Sequence, residues 1–504
     1  MNLTALSYRL KQTGQRTLQR LLNKDVCLTR PNLSHLAQKP DQLPFFVKES
    51  AVAMRYLRFL GPLDWDRFPS RPLKRQPMIE PLPYAPFVAA CLVKVDQQIS
   101  YMSQLRKYLL DHPALTWVLG FPLLASSAYT WGFDVDACLP THRHFTRMMR
   151  TIPNEALQFL LDSTVTLLQN ALPKGANFGQ AISLDTKHIL AWVKENNPKA
   201  FLTGDQRYDK ERQPTGDPDC RLGCKKRRNQ RSSAPQQSGT PLENPVSANT
   251  LKVGTFYWGY ATGIVATKVP DWGEFVLAER TQTFDRSDVS YFFPLMDDTT
   301  RRLGFHPRYG ALDAAFDAWY VYADFHSDQH DGFAAVPFAD RGAKSKLTFN
   351  EAGLPLCKAG LPMPLHATFW SKTSLVPHQK GRYGCPLTSS GKEKQACPIA
   401  HKNWGKGGCT TTIPTSIGAR LRYQLDRESQ AYKDVYKQRT ATERINSQAV
   451  ALGIERPKIR NGNAITNHNT LIYIVINLRA IQRVREQILK QPVTIPCVPA
   501  NHES

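Results

Sequence analysis

Tyr436, Arg439 and Glu443 follow one another at steps of three and four residues, a spacing that puts all three on one face of a helix. A guanidinium grips phosphate oxygens in bidentate fashion, and a phenol donates a hydrogen bond to one. A carboxylate is an oxygen ligand for a divalent cation. The combination fits a helix lying against nucleic acid with a metal ligand aimed into a cleft. Such a ligand works in company, and two upstream acids have a suitable setting. Asp185 ends the short run Ala181-Ile-Ser-Leu, and Asp313 ends Tyr309-Gly-Ala-Leu. If both runs are neighbouring strands and the helix crosses their ends, the three carboxylates converge. Mg²⁺ or Mn²⁺ suits an all-oxygen set. Two such ions about 4 Å apart activate a water or a 3′-OH and stabilise the leaving oxygen of an in-line displacement, with no side-chain nucleophile.

Each acid also has a plainer reading. An Asp at a strand end is commonly a turn or cap residue. Asp317, which precedes Ala318-Trp-Tyr-Val-Tyr-Ala, reads as the N-cap of a helix. Glu443 alone is also explained as a solvated helix acid paired with Arg439 four residues earlier.

The elements that must position these residues change character along the chain. Residues 1 to about 172 read as helices: Ala51 to Leu60, Ala85 to Val95, Tyr101 to Leu110 and Asn154 to Leu168 carry apolar residues at helical spacing. A further helix starts after the capping Thr141, with Arg143, Arg147 and Arg150 along one side. It fits a recognition helix of a helix-turn-helix-like unit or an ordinary helix with a solvated basic face. Cys220 to Arg231 holds Lys225, Lys226, Arg227 and Arg228 and no acid, a flexible basic loop. Phe256 to Lys268 and Phe275 to Thr283 read as a hairpin, and Ser287 to Leu303 as a helix. Asn350 to Thr412 is rich in Gly, Pro, Lys and Cys with little periodicity, and 427–452 and 466–490 read as two long helices.

The balance of 65 Lys+Arg against 42 Asp+Glu gives 504 residues a formal charge of +23, which favours a polyanionic partner, nucleic acid above all. The N-terminus lacks the apolar stretch of a signal peptide, and no window approaches the ~20 apolar residues of a spanning helix. The expectation is a soluble, cytoplasmic protein with no membrane partner, whose ten cysteines are thiols or metal ligands rather than a disulfide framework. There is no phosphate-binding G-x-x-x-x-G-K, no dinucleotide G-x-G-x-x-G after a strand, no H-E-x-x-H and no G-x-S-x-G.

The order and setting of these residues resemble a known family, the DDE transposases of bacterial insertion sequences, over most of the chain. Leu184-Asp185-Thr-Lys-His-Ile is similar to the first catalytic strand, and Leu312-Asp313-Ala-Ala-Phe-Asp317 to the second. Tyr436-x2-Arg439-x3-Glu443 resembles the signature around the third acid. The signature's lysine seven positions after the glutamate is replaced by Val450, with Lys458 or Arg460 as substitutes for its phosphate contact. The resemblance implies a mixed α/β architecture: a helical N-terminal DNA-binding domain (1–175), then an RNase H-like core of a five-stranded mixed sheet flanked by helices (176–325 and 426–490). Loop 200–252 would interrupt the core, 326–425 would form an inserted Cys-containing subdomain, and 491–504 a tail. It implies Asp185, Asp313 and Glu443 as catalytic ligands of two Mg²⁺ or Mn²⁺ ions, and Tyr436 and Arg439 as contacts to transposon-end DNA. Inverted-repeat ends and target DNA would be the substrates, held in a synaptic complex of a homodimer. A transposase-derived DNA-binding protein without activity, and an RNase H-fold nuclease without strand transfer, are the alternatives.

Within the insertion, Cys357, Cys385, Cys397 and Cys409 could hold a structural Zn²⁺, although the spacing lacks the tight C-x2-C of common zinc ribbons. Trp370 and Trp404 are candidates for stacking on a base.

Overall fold

The computed structural model of the chain describes Gly14 and residues 31–72, 82–224, 256–326, 332–339, 347–389, 396–401 and 408–490. Lys225, Lys226, Arg227, Arg228 and Trp404 lie outside the described residues.

The helices expected from apolar spacing form close to their expected bounds: α1 (Ala51–Leu60), α2 (Tyr84–Asp96), α3 (Met102–Asp111), α4 (His142–Thr151) and α5 (Asn154–Ala171). Ser50 caps α1 by accepting the Ala53 amide, and Thr141 caps α4 by accepting that of His144. These bonds satisfy amide groups that a helix start leaves without an intrahelical partner. α2 is apolar nearly all round and almost wholly buried, as expected of a central helix.

The sheet is built from β1 (Ala181–Leu190), β2 (Arg221–Cys224), β3 (Phe256–Val269), β4 (Gly273–Thr283), β5 (Tyr309–Leu312) and β6 (Phe333–Ala335). β1 is central, antiparallel to β3 on one side and parallel to β5 on the other. β6 continues in parallel beyond β5. β3 carries the β4 hairpin on its far edge, and short β2 extends that edge by pairing with 256–259. The path β4-β3-β1-β5-β6 forms five strands of a mixed sheet, and β2 makes it six-stranded. Nearly every residue of β3 is buried, so both faces of the sheet are covered.

One core joins the N-terminal helices, one sheet face and two C-terminal helices, with Phe87, Phe145, Leu160, Ile264, Phe275, Ile445 and Ile472 among its members. The change at about residue 175 is therefore a change of element type within one continuous core. The opposite face packs Leu184, Val265, Leu277 and Leu312 against α6 (Phe292–Leu303) and α7 (Trp319–Phe325). The segment read as one helix from Ser287 begins as a 3₁₀ turn, Asp288–Tyr291, before α6.

The insertion contains a separate antiparallel sheet of β7 (Leu365–Ser371), β8 (His378–Gly384) and β9 (Thr410–Pro414). β7 is exposed along almost its whole length, so it has no apolar face to write a period into the sequence. The chain leaves and re-enters the core at a clamp, where α8 (Ile417–Gln424) lies on α7. The approach is close enough that a Cβ on Gly418 would sit 2.0 Å from the Trp319 carbonyl oxygen.

Asp317 is not the N-cap of α7: Ala318 holds that position without a side-chain cap. Asp317 is instead buried at the clamp. It accepts a bidentate pair of hydrogen bonds from Arg422 of α8, with Nε at 2.6 Å, together with the Tyr322 hydroxyl and the Ala339 amide, at 2.8 and 2.9 Å. Burial alone would raise its carboxyl, but these donors hold it below the ordinary value. Sequence spacing identified a cap because the ion-pair partner is 105 residues away.

The first long C-terminal helix is also divided. Ser429 caps α9 (Gln430–Tyr436), Lys437–Arg439 form a 3₁₀ turn, and α10 (Thr440–Ala451) continues. α11 (Gly462–Lys490) follows and runs along α5 and β4. Its Asn477 both accepts from the Val276 amide and donates to the Val276 carbonyl, and Arg479 clamps Asp96 of α2. No helix among the described residues is long and apolar enough to cross a membrane.

Candidate functional site

Leu184 and Leu312 are register partners on the parallel strands β1 and β5, and both enter the core under α6. Side chains alternate along a strand. The next residues, Asp185 and Asp313, therefore turn to the opposite face, side by side. α10 crosses that face, packing Ala441, Ile445 and Ala449 into the core at four-residue steps. The same helix carries Glu443 and, three residues on, Asn446, whose Nδ2 donates to Asp185 Oδ2 at 3.1 Å.

The electrostatics confirm that these groups share one small space. Burial pushes the Asp185 carboxyl up to about 7, helped by the negative charges of Asp313 and Asp288 and opposed by Arg439. The Asp313 carboxyl is also raised by burial, against the Ala315 amide that it caps at 2.8 Å and the Arg439 charge. The Tyr436 phenol is raised, first by burial and then by Asp313, Glu443 and Asp185, with Arg439 opposing. Arg439 is thus the cation common to all three acids, and it donates to Glu443 Oε1 at 2.8 Å.

The 3₁₀ turn has a geometric consequence. At three residues per turn, positions i and i+3 eclipse, so Tyr436 and Arg439 stand one above the other where the chain passes the ends of β1 and β5. Tyr432 stacks on Tyr436, with ring centroids 5.8 Å apart, and braces it.

Glu443 is the exception to full convergence: its side chain is 54 % exposed and engaged with Arg439. An exposed pair of this kind is worth roughly 0–1 kcal/mol. Rotation of Glu443 toward the aspartates therefore costs little once another cation competes for it.

Two residues at the site have no counterpart in the sequence reading. Asp288 accepts from Thr186 Oγ1 at 2.9 Å and is raised, first by burial, with Asp313 adding to it. Asn446 is the other. Its signal is its position one helical turn after Glu443; Asp288 has none, since only the fold brings residue 288 to β1.

A divalent cation fits this donor set. The site offers hard oxygen donors, a mutual repulsion between Asp185 and Asp313 that a cation would relieve, and a buried Asn446 Oδ1 with no hydrogen-bond partner.

The other sequence candidates fall elsewhere. Arg143 and Arg147 are exposed on α4, where Arg147 lies 3.0 Å from His144 Nδ1. Val450, standing where the lysine was sought, packs against the core. Lys458 and Arg460 both lie over the Trp192 ring, and Arg460 donates to the Trp192 carbonyl. Trp370 is 62 % exposed on β7. Cys357, Cys385, Cys397 and Cys409 line one pocket of the insertion.

No protein-family model matches the chain, and no curated protein matches it significantly.

Proposed function

We propose that this chain is a DDE-type DNA transposase with an RNase H-like core, cutting at transposon ends and joining them to target DNA by in-line phosphoryl transfer. The observation that carries the reading is that Asp185 on β1 and Asp313 at the end of the adjacent parallel strand β5 lie beneath the α9–3₁₀–α10 segment that carries Tyr436, Arg439 and Glu443. The strand order, with an antiparallel hairpin on one side of β1 and two parallel strands on the other, supports the RNase H-like assignment. The charge of +23 supports DNA as the partner.

In this reading Asp185 and Asp313 are the fixed ligands for Mg²⁺ or Mn²⁺, and Glu443 completes the set by leaving Arg439. Cations held there would supply water or 3′-OH activation and charge stabilisation at the leaving oxygen. Asn446 and Asp288 are positioning residues: the first donates its Nδ2 to Asp185 Oδ2, and the second anchors Thr186 beside it by accepting from its hydroxyl. Arg439, released from Glu443, presents its guanidinium to a phosphate, and Tyr436 donates to the same backbone. Phosphodiester bonds are exchanged rather than made anew, so no nucleotide is consumed. Two ends must be held together, which calls for a dimer or larger assembly, acting in the bacterial cytoplasm.

The test is to incubate purified protein with DNA carrying the element's ends and Mg²⁺ and to look for nicks, then to supply pre-cut ends and a supercoiled target. Joined products identify a transposase; cleavage without joining identifies a nuclease. Metal-independent binding with no cleavage identifies a DNA-binding derivative. Unaltered cleavage in each of Asp185→Ala, Asp313→Ala and Glu443→Ala would exclude the site.

A further inference from the structure

The four cysteines of the insertion are scattered over 53 positions, from 357 to 409, yet the fold gathers them. β8 and β9 end their ladder at the pair Gly384–Thr410. Cys385 follows the first of these residues and Cys409 precedes the second, so the strand ends set the two thiols side by side. No side chain fits at Gly408, where a Cβ would meet Cys385 Cβ at 2.7 Å and Sγ at 3.3 Å, and where φ is +83°.

The other two sit on matching tight turns. The Gly360 amide donates to the Cys357 carbonyl, and the Ala400 amide to the Cys397 carbonyl, both at 3.0 Å. In each turn the donating residue is in the left-handed region, Gly360 at +74° and Ala400 at +43°. For Ala400 this is an uncommon conformation with a steric cost, so the second turn is held by its surroundings rather than by local preference. All four thiols and His401 line a single pocket. Cys409 is raised, first by burial and then by the charges of Cys357, Cys385 and Cys397, with Lys358 opposing. The other three thiols therefore lie within electrostatic reach of Cys409.

The segment has little else to hold it. Among the described residues between 347 and 414, the buried apolar side chains are Pro355, Met363, Cys385 and Ile413. A small sheet with so thin a core needs a cross-link or a metal.

We propose that Cys357, Cys385, Cys397 and Cys409 bind one structural Zn²⁺ that closes the base of the β7-β8-β9 subdomain. Four thiolates satisfy a tetrahedral ion and leave no open position for substrate, so the site is structural and independent of the DNA reading. Binding releases the thiol protons, and the net negative charge of the Zn(Cys)₄ unit is partly offset by Lys358 nearby.

The test uses the full chain, expressed and purified without chelator. Elemental analysis is expected to give about one zinc per chain. Cys385→Ser/Cys409→Ser is expected to lose it, while Cys91→Ser, a buried cysteine of α2, keeps it. A second measurement avoids reliance on a variant that fails to fold. In the parent protein, a strong chelator is expected to render these four cysteines alkylatable, mapped by peptide mass, while the cooperative unfolding of the main core persists. Zinc absent from the parent, zinc retained in the double variant, or the four thiols found paired as disulfides would each overturn the proposal.

Discussion

Asp185→Asn is expected to stabilise the metal-free protein while abolishing cleavage. The carboxyl sits near 7 in the folded chain against an ordinary value of 3.8. Each unit corresponds to ~1.36 kcal/mol, so ionised Asp185 costs the fold roughly 4 kcal/mol at pH 8. The sign follows from proton counting. Between pH 3.8 and 7 the folded state holds a proton that the unfolded chain has released, so this group's contribution falls as pH rises through that window. Asparagine keeps the shape and the acceptor for Asn446 Nδ2 but carries no charge against Asp313. The gain of variant over parent is expected to be largest at pH 8 and to shrink by about 2–3 kcal/mol toward pH 5, where the parent is mostly protonated. Urea unfolding in chelator-treated buffer at both pH values measures it. Added Mg²⁺ is expected to raise the parent's midpoint and leave the variant's unchanged, because only the parent gains binding energy in the folded state. A variant no more stable than the parent at pH 8, or a gap that does not change with pH, refutes the description of Asp185 as a buried acid under repulsion.

Arg439→Gln removes the cation shared by three acids; end-DNA affinity is expected to fall by roughly 5- to 100-fold with the salt dependence reduced by about one unit of slope, read by fluorescence anisotropy across a salt series. Arg422→Leu strands the buried Asp317 carboxylate and is expected to cost about 3–5 kcal/mol by urea unfolding at pH 7. Because Asp317 is held below its ordinary value, its contribution is present above that value and lost as pH falls through the folded one, so the variant's deficit should narrow below about pH 4. Gly418→Ala forces the α7–α8 contact apart and is expected to cost about 1–3 kcal/mol, seen as a lower thermal midpoint with the zinc content unchanged.

Local chemistry made part of this molecule readable from its residues. Apolar spacing delivered α1, α2, α3 and α5 to within a few residues, because each buries a face and writes its period into the chain, and α4 was announced by its capping Thr141. The β3–β4 hairpin and the short strand that stops before Asp313 were legible for the same reason, whereas β1 runs on past Asp185 to Leu190 and leaves that acid within the strand. The break in the helix at Lys437–Arg439 was not: those residues are all compatible with α-helix, and the 3₁₀ turn is set by packing against the ends of β1 and β5. β7 was hidden because a strand exposed on both faces has no alternation to show.

The sequence alone thus determined the chemical inventory: three widely separated acids, a Tyr–Arg pair, four cysteines and a strong positive charge. Tertiary structure decided how that inventory is used. It set Asp185 beside Asp313 through a parallel register that no local pattern encodes, and it brought in Asp288 and Asn446. It also turned Asp317 from a cap into one half of a buried ion pair, and gathered the four thiols at one strand end. The physical reason is common to all of these. A side chain's period is written by what its own element buries, whereas charge pairing and ligand convergence depend on contacts across a hundred residues or more, where spacing carries no information.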